Sequence, residues 1–244
     1  MTSRGKLRLD QLLVDRGLAG SREKARALVL AGAVLVDGKP AGKAGHAVPL
    51  NCLIEVQFPP AFVSRGGVKL AGALDHFNID LRDRVCLDIG ASTGGFTDCM
   101  LQRGAARVHA VDVGAGQIDW KLRNDPRVVL HENCNARFLR PDDIGEPAQV
   151  AAVDVSFISA TLIIPVIVPI LTAGASLLVL VKPQFEAGRE AVGKGGIVRD
   201  PSVQAAACRR VQECMEGLGF QTAIVESLIL GREGNREFFL HGWR

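Results

Sequence analysis

A short apolar strand runs directly into a glycine-rich turn and then a helix start, in Val85-Cys86-Leu87-Asp88-Ile89-Gly90-Ala91-Ser92-Thr93-Gly94-Gly95-Phe96-Thr97. Glycine in such a turn lets backbone N–H groups approach a ligand that a Cβ would hold off. Further on, a second apolar run, Val108-His109-Ala110-Val111-Asp112, ends in an acid. A carboxylate in that place accepts hydrogen bonds from a ribose diol. Together the two strand ends point to a nucleoside cofactor lying across the carboxyl edge of a parallel sheet. That confines the body of the chain to an open α/β fold.

The apolar pattern supports this. It predicts strands at 84–89, 107–112, 127–130, 150–155, 175–181, 221–228 and 236–241, and helices near 94–103, 115–123, 158–170 and 201–218. Strands alternating with helices of this length indicate a largely parallel sheet. The last two strands are separated by a short turn through Gly231 and Gly234, so they should form an antiparallel hairpin at the sheet edge. The longest apolar segment, Ile158 to Leu171, is too short to span a membrane and contains Pro165 and Pro169. It reads as a buried helix.

The front of the chain is different. Residues 1–69 hold eleven Lys/Arg against five Asp/Glu, a formal +6, whereas the remaining 175 residues carry a formal −3. A small basic unit ahead of a near-neutral body favours contact with nucleic acid. Leu7 to Arg16 reads as a helix with Leu9, Leu12 and Leu13 on one face. Ser21 is a good N-cap for a second helix through Leu30, with Ala25, Leu28 and Val29 inward and Arg22, Lys24 and Arg26 outward. Val34 to Lys39 reads as a strand entering a tight turn, and Leu53 to Phe58 as a closing strand. The expected division is a small α+β unit over 1–58, a linker over 59–67 and the α/β body over 68–244. Lys69 should open a helix of about ten residues.

The six cysteines form no C-x-x-C pair and the five histidines show no metal spacing. A reducing, cytoplasmic setting without disulfides or metal is expected. The amino terminus is polar and basic, unlike a signal peptide.

Asp154 ends the apolar strand Ala151-Ala152-Val153-Asp154, and Lys182 ends Leu178-Val179-Leu180-Val181-Lys182. Both should emerge at the edge that carries the glycine turn. Glu237 sits early in the final strand and Lys69 lies before the first strand of the sheet. Each could instead be an ordinary surface charge, Lys182 by reaching out of the sheet edge. If the four converge, one lysine can be held neutral by burial and by the second cation, and can take a proton from a sugar hydroxyl. The carboxylates would orient the cluster. The matching electrophile is a methylsulfonium, which needs a correctly aimed oxygen and neither metal nor covalent intermediate.

On these residues the chain resembles the TlyA-type (haemolysin A-like) ribosomal RNA methyltransferases over nearly its whole length. Arg8-Leu9-Asp10, Ser21-Arg22-Glu23-Lys24-Ala25 and Val36-Asp37-Gly38 resemble an S4 RNA-binding domain. Ser64-Arg65-Gly66-Gly67-Val68-Lys69-Leu70 resembles the opening motif of an FtsJ-like 2′-O-methyltransferase domain, and residues 88–98 its S-adenosylmethionine loop. Asp154-Val155-Ser156-Phe157, Lys182-Pro183-Gln184-Phe185-Glu186 and Gly234-Asn235-Arg236-Glu237-Phe238-Phe239 are similar to its remaining signatures. Ser227-Leu228-Ile229-Leu230 departs from the Ser-Pro that relatives often carry there.

The resemblance implies a Rossmann-like methyltransferase sheet behind an S4-like domain, and 2′-O-methylation of cytidine in 16S ribosomal RNA, 23S ribosomal RNA or both, on free RNA, subunits or the ribosome. It assigns a catalytic tetrad to Lys69, Asp154, Lys182 and Glu237, with Lys182 as general base. Gly90, Gly94, Gly95 and Phe96 would shape the methionine side of an S-adenosylmethionine site, with Asp88 and Asp154 facing the methionine portion. Asp112 would meet the ribose, with Val113 beside the adenine and Asn135 at its edge. Arg4, Lys6, Arg8, Arg22, Lys24, Arg26 and Arg65 would face RNA. Arg189, Lys194 and Arg199 flank a basic glycine-rich loop that could close on phosphate or simply be solvated. The competing readings are a nicotinamide dehydrogenase, a non-catalytic RNA-binding or ribosome-assembly protein, and a membrane-active haemolysin. No amphipathic or spanning segment supports stable membrane insertion.

Overall fold

The computed structural model describes residues 5–56 and 61–244. The chain forms two compact units, Met1–Ala61 and Phe62–Arg244. Arg4, Pro59, Pro60 and the last two positions of the expected closing strand lie outside the described residues.

The first unit contains β1 (Lys6–Arg8), α1 (Leu9–Asp15), α2 (Arg22–Leu30), β2 (Val34–Val36), β3 (Lys39–Pro40), β4 (Ala47–Pro49) and β5 (Ile54–Val56). Ser21 caps α2 by accepting the Lys24 N–H. The β2–β3 turn runs through Asp37 and Gly38, both at positive φ, as a tight hairpin requires. Leu9, Leu12, Leu13, Ala25, Val29, Val34 and Ile54 form the core. The first helix is shorter than its apolar pattern suggests, because Lys6–Arg8 pairs antiparallel with Ala47–Pro49 and so lies in a strand.

The second unit opens with α3 (Arg65–Phe77), followed by β6 (Val85–Ile89), α4 (Gly95–Gln102), β7 (Arg107–Val111), α5 (Trp120–Arg123), β8 (Val128–His131) and α6 (Pro141–Ile144). Then come β9 (Ala148–Val153), α7 (Ile164–Ile167), β10 (Leu171–Val181), α8 (Pro183–Glu186), α9 (Pro201–Gly217), β11 (Gln221–Glu226) and β12 (Phe238–Trp243). The strands form one seven-stranded sheet in the order β11-β12-β10-β9-β6-β7-β8. All neighbours are parallel except those of β12, which runs antiparallel between β10 and β11. The strand order reverses between β6 and β9, where an open α/β sheet leaves a crevice at its carboxyl edge.

Side chains alternate across this sheet with the period of two that a pleat imposes. Cys86, Val150, Ala152, Leu178, Leu180 and Phe239 face α3 and α4. Leu87, Ala151, Val153, Leu177, Val179 and Leu240 face α7 and α9. Both faces of the central strands β6, β9 and β10 are covered, so these are almost wholly apolar where they pair, whereas the edge strand β11 is half-exposed.

Four expectations are corrected. Ser64–Gly67, assigned to a linker, are the cap and first turn of α3, with the Ser64 side chain accepting the Gly66 N–H. The segment 158–170 is no continuous helix: Pro165 and Pro169 break it into α7 flanked by 3-10 turns at Ala160–Leu162 and Val168–Ile170. The helix expected over 115–123 is only α5, because Gly116, at positive φ, keeps the preceding chain in a loop. The edge hairpin is joined by residues 227–237, which include a 3-10 turn at Arg232–Gly234, and Glu237 precedes β12.

Phe239 is fully buried in β12, and its ring stacks 6.0 Å from that of Phe96 at the start of α4. Phe239→Ala should lower the unfolding free energy of this unit by about 3–5 kcal/mol, measured by urea denaturation.

Candidate active site

The strand ends converge at one edge. Gly90 follows β6 at φ +88°, and a Cβ there would collide with the Asp154 carbonyl oxygen. The Asp154 N–H donates to Ile89 O at 2.8 Å, which fixes the end of β9 beside the glycine turn. Asp88 is completely buried and accepts the Thr97 hydroxyl at 2.6 Å through Oδ2. Its Oδ1 has no hydrogen-bond partner among the described residues. Burial pushes the Asp88 carboxyl up to about 7; the Thr97 hydrogen bond opposes this and the nearby Asp154 carboxylate reinforces it.

A cleft of about 600 Å³ runs along this edge. Ile89, Val111, Val113, Ile158 and Ile163 supply apolar walls, while Asp112, Asn135 and Asp154 supply polar groups. Asp112 is held by two backbone donors, Ser92 N–H at 2.8 Å and Gly114 N–H at 2.7 Å. Each of its oxygens keeps a second acceptor position. Asn135 caps a 3-10 turn by accepting the Arg137 N–H at 3.1 Å. A smaller adjoining cavity of about 140 Å³ is lined by Lys69, Gly95, Phe96 and Asp154 and shares Gly90, Ser92 and Thr93 with the cleft. Gly94 starts α4 in the left-handed conformation and packs against Leu122 and Ile118 behind the turn.

Four charged side chains lie here as two ion pairs. Lys69, on the inner face of α3, is paired with Glu237, and both are buried. Lys182 Nζ is 2.5 Å from Asp154 Oδ1 and donates to Ser156 Oγ at 2.9 Å. Val181 and Phe238 are paired across β10 and β12, so Lys182 and Glu237 are the next residues out at this edge. Lys69 and Asp154 line the same small cavity. Phe157, at φ +65° and 91% exposed, lies at the mouth with its ring 5.1 Å from that of Phe185.

Residues 62–244 match the model of the FtsJ-like methyltransferases, and residues 7–51 that of the S4 domain. The chain belongs to the FtsJ-like methyltransferase family. Within it the chain falls in the TlyA-type branch. The 16S/23S rRNA (cytidine-2′-O)-methyltransferase TlyA of Mycobacterium tuberculosis is 47% identical over 236 residues, covering 96% of this chain and 88% of that one. Hemolysin A of Brachyspira hyodysenteriae is 41% identical over 237 residues, covering 96% and 99%. A solved structure from Streptococcus thermophilus, designated a hemolysin, has a TM-score of 0.74 at 42% identity, covering 99% of this chain and 90% of that one. An O-methyltransferase of Bacillus cereus shares the fold at a TM-score of 0.53 and 16% identity, covering 76% of this chain and 84% of that one.

The basic residues of this FtsJ-like chain are distributed unevenly. Lys6 and Lys24 are exposed on β1 and α2. Arg8, Arg22 and Arg26 are not independent surface charges but share Asp10 as a partner. Arg65, exposed at the start of α3, donates to Leu230 O at 2.6 Å. Lys194 and Arg199 are exposed between α8 and α9, and Arg189 begins a 3-10 turn there. That loop is anchored: the buried Asn235 accepts the Val198 N–H at 3.0 Å and donates to Gly196 O at 2.9 Å. No helix among the described residues is long and apolar enough to cross a membrane.

Sequence reasoning passed over Thr97, Ser156 and Phe157 as site residues. Ser156 and Phe157 follow Asp154 directly, so their place after a strand end was an available signal. Thr97 stands in the first turn of α4, and only the fold brings it to Asp88.

Asp88 sets a pH dependence. Its carboxyl lies at 3.8 in the ordinary state and at about 7 when folded. Between these values the folded chain holds a proton that the unfolded chain has released, so stability falls as pH rises through that window. Asp88→Asn should flatten this part of the Tm-against-pH curve, read by differential scanning calorimetry.

Proposed function

We propose that this chain is an S-adenosylmethionine-dependent RNA methyltransferase that modifies the 2′-hydroxyl of cytidine in ribosomal RNA of the small subunit, the large subunit or both. The single observation that carries the reading is the gathering of two lysine–carboxylate pairs at the mouth of a nucleoside-sized cleft. The cytidine and ribosomal RNA assignments rest on the relative from Mycobacterium tuberculosis, whose name specifies them. The S4 unit supports an RNA substrate, and likeness to an rRNA-modifying relative favours a cytoplasmic setting.

The residues present suit the cofactor. Gly90, where a Cβ would strike the Asp154 carbonyl, lets the turn and the end of β9 close together around the cleft, and the buried Asp88 has one carboxylate oxygen without a partner among the described residues. Gly90, Gly95 and Phe96 would enclose the methionine portion, with Asp154 offering negative charge to its cationic groups, while Gly94 and the buried Asp88 shape the turn from behind. Asp112 would hold the ribose diol, and Val113 and Asn135 would flank the adenine. When bound, S-adenosylmethionine supplies an electrophilic methyl group.

The chain's own task is then positioning and one proton transfer. Lys182 Nζ, beside Asp154 and hydrogen-bonded to Ser156, would take the proton that the 2′-hydroxyl gives up on methylation. Asp154 stabilises the ammonium that results. Lys69, held by Glu237, adds positive charge beside the developing alkoxide. The exposed Phe157 ring offers a face on which an unstacked base can rest.

The test is transfer of labelled methyl to separated ribosomal subunits, with nucleoside mapping by mass spectrometry. The expected product is 2′-O-methylcytidine. Lys182→Ala should lower the rate by about 10²–10⁴-fold while leaving cofactor affinity nearly unchanged. Undiminished transfer by that variant would remove the assigned base, and product on another nucleoside would remove the cytidine assignment. Asp112→Ala should instead weaken cofactor binding by about tenfold, the loss of one good hydrogen-bonding group, in isothermal titration.

A further inference from the structure

Three arginines of the amino-terminal unit meet on one carboxylate. Arg8 donates through Nε to Asp10 Oδ1 at 3.0 Å and through Nη2 to Oδ2 at 2.9 Å. Arg22 Nη2 and Arg26 Nε reach the same Oδ2 at 3.1 and 3.2 Å. The Asp10 side chain is 0% exposed, whereas those of Arg8, Arg22 and Arg26 are 49%, 46% and 57% exposed. The Asp10 N–H donates to Ala44 O at 2.9 Å, which fixes the acid to the loop before β4. Among the described residues of this unit, Asp10 is the one buried charged side chain.

Three cations on one anion leave a formal excess of two positive charges at the surface. Guanidinium groups gathered this closely repel one another, and the shared carboxylate offsets that repulsion. The neighbouring guanidiniums, Arg8 foremost, hold the Asp10 carboxyl far below the ordinary range, so its charge persists at any physiological pH. Arg22 and Arg26 each engage Asp10 through a single nitrogen, so each planar head has donors left to turn outward. Because the heads surround one oxygen atom, they suit one phosphate or two adjacent ones and not a long track.

We propose that Asp10 is a positioning residue that locks Arg8, Arg22 and Arg26 into a preformed fork for RNA backbone phosphate. This rests on the reading of the amino-terminal unit as an RNA-binding one. Side chains ordered during folding need not be ordered again on binding, which is how a fixed fork gains affinity over three free arginines. Bulk electrostatics and positioning make opposite forecasts. Removing the Asp10 charge raises the local positive excess, so charge alone would tighten RNA binding and steepen its salt dependence. Loss of the fork does the reverse.

The full chain is titrated against a fluorescein-labelled RNA hairpin of mixed sequence across a range of salt. Asp10→Asn is expected to bind about tenfold more weakly, with a log–log salt slope shallower by about one. Its affinity for S-adenosylmethionine should equal that of the wild type. Binding by folded Asp10→Asn that matches or exceeds the wild type overturns the proposal. If that variant fails to fold, the double variant Arg22→Lys/Arg26→Lys decides, since it keeps every charge and the acid but loses two planar forks. It should bind several-fold more weakly with unchanged thermal unfolding, and unaltered binding overturns the proposal. A wild-type chain that binds no RNA removes the RNA reading itself, and the role of Asp10 with it.

Discussion

The pairing of β12 with β10 is the constraint on which the site depends. An antiparallel strand inserted between two parallel ones brings its beginning to the edge where the others end. That is why Glu237, just before β12, emerges beside Lys182, just after β10. The register is enforced from the core, since Phe239 and Leu240 must face opposite helical layers. A slip of one residue would exchange those layers and displace Glu237 from Lys69. The packing of apolar side chains thus sets the location of charged ones.

The two ion pairs are poor candidates for simple stabilisers. Taking the Lys69–Glu237 pair out of water carries a large desolvation cost that its mutual attraction only partly offsets. A pair of apolar residues could fill that volume as well. The Asp154–Lys182 pair is less enclosed and also engages Ser156, so it can meet a substrate oxygen. Together the four groups are formally neutral, which lets them be assembled in a partly dry cavity without a net buried charge.

Much of this was legible in the sequence because the signals were local. The glycine turn, the acids at the ends of β7 and β9, and Lys182 after an unbroken apolar run each declare a position on a strand. The Ser21 cap and the excess of basic residues near the amino terminus were equally direct. Where reading failed, the deciding interaction was either a breaker underweighted or a partner distant in sequence. Pro165 and Pro169 divide an apolar run that looked helical, and Gly116 shortens α5. The insertion of β12 beside β10 joins residues more than fifty positions apart, which no periodicity encodes. Nothing local marked Asp10 for burial, because its three arginine partners become neighbours only after α1 and α2 pack.

The close approach of α3 to α4 has a mechanical consequence. At Gly95 a Cβ would strike Ser64 Oγ and lie only 3.0 Å from the Gly67 backbone nitrogen. With no side chain to act as a cushion, these two helix starts are nearly in backbone contact. The start of α3 is therefore located by the start of α4 with little slack. Lys69 rides on that same first turn and a half, so its ammonium is braced by the start of α4 through near backbone contact and not through a flexible side chain.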